Sequence, residues 1–205
     1  MENNFPKINF IGNKEKLSDW IASNFQDNTS SLFDAFSGGC SIAYKAKKLG
    51  YKVITNDALK VNYHISKALI QNNNVKLNDR DICKIFSGKP KKGFIFKNYS
   101  DVFFYPEECM ELDQYWYNIN TYIKNPYKKS LALSLIRRSM IRKRPYSRFN
   151  IVWKKVKQLR DEDYSYEHYK RRRAYHNQTF KTHFLDEVSS YNNAIFDNGK
   201  KHKEY

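Results

Sequence analysis

The stretch LFDAFSGGCSIAYKAKKLGYKVITND, Leu32–Asp57, carries the clearest structural signal in the chain. An apolar run, Leu32–Phe36, leads into two glycines, and a second run, Lys52–Thr55, ends just before an acid. Between the runs, Ser41–Leu49 reads as a helix, and Gly50 stands where the left-handed residue after a helix is common. Because two consecutive strands joined by a helix form a parallel pair, the pattern predicts an α/β fold.

Segments around this unit have helical patterns. Residues 14–25 and Leu59–Asn72 place apolar side chains near helical spacing. Three later segments do the same: Asp113–Ile123, Ser130–Lys143 and Tyr164–Tyr175. We therefore expect a β-α-β-α unit followed by a mostly helical region.

The charge also changes along the chain, near residues 75–80. Residues 1–77 carry 10 Lys/Arg and 6 Asp/Glu, a net of +4, whereas residues 78–205 carry 27 and 15, a net of +12. Residues 124–160 contain 13 basic residues and no acid. Such a field attracts polyanions, and interleaved tyrosines and arginines favour nucleic acid. The alternative is a solvated basic face in a lysine-rich protein.

Several other classes of protein are disfavoured. No apolar stretch is long enough to span a membrane, and MENNFPKINF is not typical of a signal peptide. The three cysteines are odd in number and widely spread, which favours a reducing compartment, so we expect a cytoplasmic protein. The five histidines lack the spacing of metal ligands, and we expect no metal site.

The turn between the first strand and its helix has the features of a cofactor loop. Gly38 and Gly39 allow a sharp turn and close approach of a ligand, and the helix from Ser41 directs free N–H groups to the same edge. Asp57 follows Gly38 by 19 residues, about the spacing at which an acid meets a ribose diol. The loop FSGGCS lacks the third glycine of a G-x-G-x-x-G motif, and no Lys-Ser or Lys-Thr pair follows it, which excludes a P-loop. These features favour a nucleoside-type cofactor over a purely structural turn.

Three ordered pieces then resemble a known family: FIGNKEKLSDWI, LFDAFSGGCSIAYKAKKLG and ITNDALKVNYHISKALIQNN. Together they are similar to the N-terminal half of the Dam-like, D12 class of DNA adenine-N6 methyltransferases of restriction-modification systems. The resemblance continues more loosely through SLIRRSMIRKRPYSRFN and YNNAIFDNGKKHKEY. It implies part of a Rossmann-like methyltransferase sheet with an appended basic, mostly helical target-recognition region.

The resemblance assigns a role to each part of the chain. Residues 1–77 would bind S-adenosylmethionine, residues 78–190 would recognise double-stranded DNA, and residues 191–205 would return toward a catalytic half. Ile11-Gly12-Asn13-Lys14 matches the family's opening motif, whose lysine meets the methionine carboxylate. Asp57 matches the acid that holds the ribose. The chain has Gly-Gly-Cys where the family more often has Gly-x-Gly. The cofactor-binding residues implied are Gly12, Asn13, Lys14, Asp34, Phe36, Ser37, Gly38, Gly39 and Asp57.

The basic helix Ser130–Lys143 and the loop after it are the predicted DNA surface. Arg138 and Arg142 lie four residues apart and are expected to project together, and Pro145 is expected to end the helix. Arginine is the usual reader of guanine, and either basic residue type clamps phosphates. The predicted DNA-binding residues are Arg137, Arg138, Arg142, Lys143, Arg144, Tyr146 and Arg148.

The family's Asp-Pro-Pro-Tyr motif, which holds the flipped adenine, does not occur in the 205 residues. The nearest string, Asn125-Pro126-Tyr127, precedes a basic helix, and we interpret it as a turn leading into that helix. We therefore assign no catalytic residue and keep three hypotheses open. The chain is one half of a split methyltransferase completed by a second chain, an inactive truncated form, or a non-catalytic basic DNA-binding module.

Overall fold

The computed structural model describes residues 4–170 and 174–205. Within those residues, three strands form a parallel sheet in the order β1-β2-β3: β1 is Ser31–Asp34, β2 is Lys52–Thr55 and β3 is Lys203–Glu204. In the register, Ser31 lies opposite Lys52 and Asp34 opposite Thr55. The predicted α/β class is confirmed at this level, a small parallel sheet combined with many helices.

Helices form most of the remaining regular structure. They are α1 (Ser18–Ala22), α2 (Ser41–Lys48), α3 (Lys60–Ser66), α4 (Asp79–Ile85), α5 (Phe94–Tyr99), α6 (Pro106–Tyr122), α7 (Pro126–Arg142), α8 (Trp153–Arg160), α9 (Glu162–Tyr169), α10 (Ala174–Asn177) and α11 (Phe180–Asn193). Single 3-10 turns occur at Glu15–Leu17 and Pro145–Ser147, and a π-helical turn at Lys67–Gln71.

The chain divides into two compact units. Unit 1 comprises Met1–Leu77, Asn125–Leu135 and Glu187–Tyr205, and unit 2 comprises Asn78–Lys124 and Ile136–Asp186. The sheet and α1–α3 belong to unit 1, and the division falls within α7 and α11. The roles that the sequence assigns to residues 1–77, 78–190 and 191–205 stay predictions.

The β1-α2-β2 segment follows the sequence pattern closely. Helix α2 begins at Ser41, and β2 covers the predicted residues. Gly50 has φ +88° with open space around it, so it ends α2 in the conformation expected of glycine. Strand β1 ends at Asp34, earlier than predicted, because the chain already turns at Ala35 and Phe36 toward the glycine loop.

The predicted helix Leu59–Asn72 is interrupted. It continues from α3 as the π-helical turn, whose last carbonyl groups meet the buried ammonium of Lys47. Lys47 Nζ donates to the carbonyl oxygens of Ile70 at 2.8 Å and Asn72 at 2.9 Å. A cation at the carboxyl end of a helix satisfies its open carbonyls. Burial lowers the pKa of Lys47 to about 8.

Residues 14–25 also form helical structure, but their apolar face is not buried as an amphipathic helix requires. Leu17 is 50% exposed and Trp20 is 68% exposed. Helix α1 has only five residues, too few to present a continuous apolar stripe. This part of the prediction was wrong about burial and right about local conformation.

The core of unit 2 is rich in aromatic side chains. Phe104 and Phe180 are fully buried and meet edge to face, with ring centroids 5.6 Å apart. Phe86 packs in the same manner on Phe184, with centroids 5.1 Å apart. Edge-to-face pairs contribute stability beyond that of the buried apolar area and favour one arrangement of the core.

In residues 4–170 and 174–205, no helix is both long enough and apolar enough to cross a membrane.

His202 fixes the last strand against β2. The backbone N–H of Val53 donates to its Nδ1 at 3.0 Å, so the ring proton is on Nε2, which lies 2.9 Å from Asn198 Oδ1. Both Asn198 amide protons are already used, on the carbonyl oxygens of Lys47 and Tyr51, which leaves Oδ1 as the acceptor. Burial and the charge of Lys47 lower the pKa of His202 from 6.5 to about 4.

We expect this histidine to make the fold acid-sensitive. Since the folded-state pKa is the lower one, the contribution of neutral His202 is complete above pH 6.5 and is lost as the pH falls toward 4, up to about 3 kcal/mol. His202→Asn keeps an acceptor that does not titrate. Urea unfolding of both proteins between pH 7 and pH 4 should show a steeper loss for the wild type, and parallel curves would contradict the assignment.

Candidate functional site

The loop after β1 turns against the ring of Phe10. Gly38 has φ +50°, and a Cβ there would lie 2.9 Å from Phe10 Cε1. A Cβ at Gly39 would lie 3.0 Å from Phe10 Cβ, and distances this short are not tolerated without movement. The sequence pattern predicts that these glycines allow a ligand to approach closely. In the structure, the side chain of Phe10 makes the close approach.

The next position, Cys40, has the left-handed conformation, with φ +64°. A non-glycine residue there costs about 1–2 kcal/mol. Cys40 stands where the resemblance leads one to expect a glycine, and it adopts a backbone conformation that glycine reaches most easily. Its thiol is fully buried, and burial raises the pKa to about 12, so the group stays protonated.

Asp57 connects this loop to the start of α3. Its Oδ2 accepts from the backbone N–H of Gly38 at 2.8 Å, and its Oδ1 accepts from the N–H of Leu59 at 2.9 Å and from Asn62 Nδ2 at 3.0 Å. Burial acts to raise the pKa of Asp57, but these three hydrogen bonds outweigh it and hold the pKa below its ordinary value. The carboxylate is therefore ionised at neutral pH and held in one orientation.

Asp34 acts on the other side of the loop. Burial raises the pKa of this carboxyl, and hydrogen bonds from the backbone of Phe36 and Ala43 act against that effect. Ala43 lies in the first turn of α2, where backbone N–H groups need an acceptor from outside the helix. Asp34 thus lies close to the N–H groups at the start of α2, which the sequence predicts to face a ligand.

The opening motif forms a tight turn. The N–H of Asn13 donates to the carbonyl oxygen of Phe10 at 3.1 Å, and Gly12 has φ +78°, the conformation that a type II turn requires. Lys14 Nζ lies 3.0 Å from the carbonyl oxygen of Gly12, and its side chain is exposed. Ile11 is 94% exposed. Phe10 places this turn beside the glycine loop within unit 1.

The exposed residues near the loop include a further predicted ligand. Phe36 is 89% exposed, whereas Ser37 is only 8% exposed. The sequence-predicted cofactor residues thus gather around the carboxyl ends of β1 and β2, on the loop, the opening turn and Asp57. The sequence does not reveal two supporting residues: Phe10, which packs on the loop, and Asn62, which donates to Asp57. Neither contact is marked by a sequence motif.

The predicted DNA residues separate into buried and exposed groups. Arg138, Lys143 and Arg144 are at most 5% exposed, so the expectation that Arg138 and Arg142 project together is wrong. Arg142 is half-buried, and its Nη2 donates to Asp186 Oδ2 at 3.1 Å. The other members of the set are Arg137, which is half-buried, and Tyr146 and Arg148, which are exposed.

A buried carboxylate in unit 2 explains why two cations are inside. Glu108 accepts two hydrogen bonds from Arg160, at 2.6 Å and 2.8 Å, and one from Lys143 Nζ at 2.9 Å. Burial acts to raise the pKa of Glu108, but the two cations outweigh it and hold the pKa below its ordinary value. Lys143 also donates to the carbonyl oxygen of Gln178 at 2.6 Å. Lys143 is thus occupied by protein groups.

Arg144 is fully buried and its guanidinium serves the chain's own backbone. It donates to four carbonyl oxygens, those of Phe103 at 2.7 Å, Ile151 at 2.9 Å, Arg148 at 3.1 Å and Phe149 at 3.4 Å. Burial, with the charge of Arg160 nearby, lowers the pKa of Arg144 to about 10, so it remains charged at neutral pH. Its predicted availability to DNA is wrong.

Comparison with known proteins identifies the family. The model of the D12 class N6 adenine-specific DNA methyltransferases matches residues 10–205. The chain belongs to this family. It is also 55% identical over 201 residues to the Type II methyltransferase M2.HphI of Haemophilus parahaemolyticus. That alignment covers 98% of this chain and 60% of M2.HphI, so the chain spans less than two thirds of the relative's length. No solved structure matches significantly.

Two further predictions concern the turn before α7 and the absence of a metal site. Asn125-Pro126-Tyr127 leads into α7, as predicted: Asn125 Oδ1 accepts from the backbone N–H groups of Tyr127 and Lys128, at 3.0 Å and 3.2 Å. Such bonds satisfy the first open N–H groups of a helix. In the ranges that the structure describes, no group of three or more His, Cys, Asp or Glu side chains is placed to hold a metal ion.

The contact between the glycine loop and Phe10 is testable. Gly38→Ala should lower the free energy of unfolding by about 2–3 kcal/mol, since strain at positive φ adds to displacement of the ring. In a Phe10→Ala background the cost should fall to that of Gly50→Ala, where φ is also positive but nothing lies near. Urea unfolding of the full double-mutant cycle measures the coupling. Equal costs in both backgrounds would remove Phe10 from the account.

The buried Glu108 offers a second test. Glu108→Gln should lower the free energy of unfolding by about 3–5 kcal/mol, because it leaves buried cations without their counter-charge. Glu107→Gln, on the same helix but exposed, makes the same charge change and should cost less than about 1 kcal/mol. Thermal or urea unfolding compares the two. Similar costs would mean that Glu108 does not organise the cluster.

Proposed function

We propose that the chain is the cofactor-binding and DNA-recognition part of an S-adenosylmethionine-dependent DNA adenine-N6 methyltransferase of a type II restriction-modification system. The observation that carries this proposal is the Asp57 clamp at the carboxyl edge of a parallel sheet, in a chain whose family is shown. Cofactors of α/β proteins bind at this edge. DNA as the substrate suggests the cytoplasm as its compartment.

The residues at the edge suit the parts of S-adenosylmethionine. The ionised Asp57 has used three acceptor positions and retains capacity for a ribose hydroxyl. Asn62 Oδ1, next to it, is a buried acceptor without a hydrogen-bond partner among the described residues. Lys14 would pair with the methionine carboxylate, and the exposed ring of Phe36 would cover the purine. The bound cofactor supplies an electrophilic methyl group.

The chain's own part in the reaction is to bind and orient. Asp57 holds the loop and would accept from one diol hydroxyl, Gly38 and Gly39 would meet the ligand through their backbone while Phe10 packs against them, and Lys14 would neutralise charge. Gly12, Asn13, Asp34 and Ser37 support the turn and the loop in the same proposal. We place no general base on this chain.

DNA recognition is proposed for those predicted residues of unit 2 that are not fully buried. Arg137, Arg142, Tyr146 and Arg148 keep their predicted role as DNA contacts. For Arg138, Lys143 and Arg144, burial supports a structural role instead. The high positive charge of residues 124–160 supports attraction of the duplex in either case.

A complementing polypeptide that carries the Asp-Pro-Pro-Tyr motif is part of the proposal. Strand β1 lies at one edge of the sheet, and it carries Phe33, which is 61% exposed. An uncovered strand edge with an exposed aromatic residue favours pairing with a further strand. The part of M2.HphI that the alignment leaves out is a practical source of such a polypeptide.

The competing proposal is a basic DNA-binding module without methyl transfer. The net charge of +16 favours DNA binding under both proposals, so affinity for DNA does not discriminate between them. Binding of S-adenosylmethionine does. Transfer of a tritiated methyl group to adenine, by this chain together with the unmatched part of M2.HphI, tests the enzyme directly.

Asp57→Asn is the variant for that test. It keeps the shape but turns an amide N–H₂ toward a backbone donor, so we expect the dissociation constant for S-adenosylmethionine to rise about 10- to 1000-fold. Asp27→Asn makes the same charge change at an exposed position of unit 1 and serves as control. Calorimetry with the complementing polypeptide present measures both. Unchanged affinity in Asp57→Asn would defeat the assignment.

A further inference from the structure

The loop that follows α7 has an unusual backbone. Tyr146 and Ser147 are consecutive non-glycine residues with positive φ, +58° and +56°. Such a conformation is costly and persists only where the surroundings enforce it. Pairs of this kind occur preferentially at sites that act on a ligand, so the loop requires a physical explanation.

Arg144 provides the enforcement. Three of the four carbonyl oxygens that its guanidinium binds belong to this loop, at Arg148, Phe149 and Ile151. The fourth, at Phe103, ties the loop to the segment that precedes α6. The guanidinium also lies between two rings, 5.7 Å from the centroid of Phe103 and 5.5 Å from that of Phe149. A planar fork with five donors is suited to this arrangement, and an ammonium is not.

The side chains of the loop then divide by direction. Phe149 turns inward, edge to face with Phe103 at 5.5 Å between centroids. Four residues are exposed, namely Tyr146, Ser147, Arg148 and Asn150, and Tyr146 is 57% exposed. Arginine and asparagine are the side chains that read guanine and adenine edges, and tyrosine offers a ring for stacking. Residues 124–160 themselves contain no acid.

We infer that residues 145–151 form a preformed DNA-reading loop, with Arg144 as its buried positioning residue and Tyr146, Arg148 and Asn150 as the groups that touch the duplex. This inference rests on the proposed function and deepens it. A loop already held in its bound shape pays less conformational entropy on binding. Arg144 acts on DNA only through the loop, although its residue type suggests direct contact.

The experiment compares duplex binding of the full chain and its variants over a range of salt. Arg148→Gln and Tyr146→Ala should each weaken binding about tenfold or more without changing urea unfolding, since both side chains are exposed. Lys157→Gln, exposed on α8 of the same unit, makes the same charge change as Arg148→Gln and should weaken binding less than about threefold. Equal effects of Arg148→Gln and Lys157→Gln would overturn the loop as a reading surface.

Arg144 is tested by a pair of variants. Arg144→Lys keeps the charge but loses the fork, so DNA affinity should fall about tenfold or more, with the salt slope unchanged. The DNA affinity of Arg144→Gln should fall as far, with the same salt dependence as the wild type. Loss of a direct phosphate contact would instead reduce the slope of log affinity against log salt by about 0.9. Normal affinity in Arg144→Lys, or a reduced slope in Arg144→Gln, would overturn the positioning role. If these buried changes unfold the chain, the exposed variants still decide the loop.

The proposed function is checked on the same samples. Binding of S-adenosylmethionine, measured with the complementing polypeptide, should be the same in the wild type and in every loop variant. Wild-type protein that binds the cofactor and DNA, with loop variants no weaker than Lys157→Gln, would refute this inference alone. Wild-type protein that binds neither would refute the proposed function as well.

Discussion

The carboxylate of Asp57 is the interaction on which the candidate cofactor site depends. It accepts from Gly38 on one side and from Leu59 and Asn62 on the other, so the loop after β1 and the start of α3 have one common anchor. An ionised group with three donors is held firmly, and its remaining acceptor capacity points to a donor from outside. Within this loop, Gly38 and Cys40 both have positive φ. A residue to which the resemblance assigns a ligand is thus also structural.

Several basic residues of unit 2 likewise have structural roles. Glu108 forms buried ion pairs with Lys143 and Arg160, and the guanidinium of Arg144 donates to backbone carbonyl oxygens. A net charge therefore overstates the number of cations that reach a polyanion. Among the exposed residues is a short loop whose backbone Arg144 holds from within, and rigidity there favours selective contact over general attraction.

Local features could be predicted from the sequence, and contacts between distant residues could not. Helix α2, strand β2 and the turn at Gly50 follow from apolar spacing and glycine placement over a few residues. The cofactor-binding residues stay predictions, which were possible because the family's motifs are contiguous. The burial of Arg144 depends on carbonyl groups up to 41 residues away, and no pattern in the basic segment reveals them. The role of Phe10 against Gly38 is hidden for the same reason.

Amide hydrogen exchange with and without S-adenosylmethionine, with the unmatched part of M2.HphI present, tests the central claim most directly. The account predicts that the cofactor protects the amides of residues 36–40 and 57–62, because it binds at the edge that Asp57 organises, and leaves residues 145–151 unchanged. Protection confined to other segments, or no protection at all, would contradict a cofactor site at this edge of the sheet.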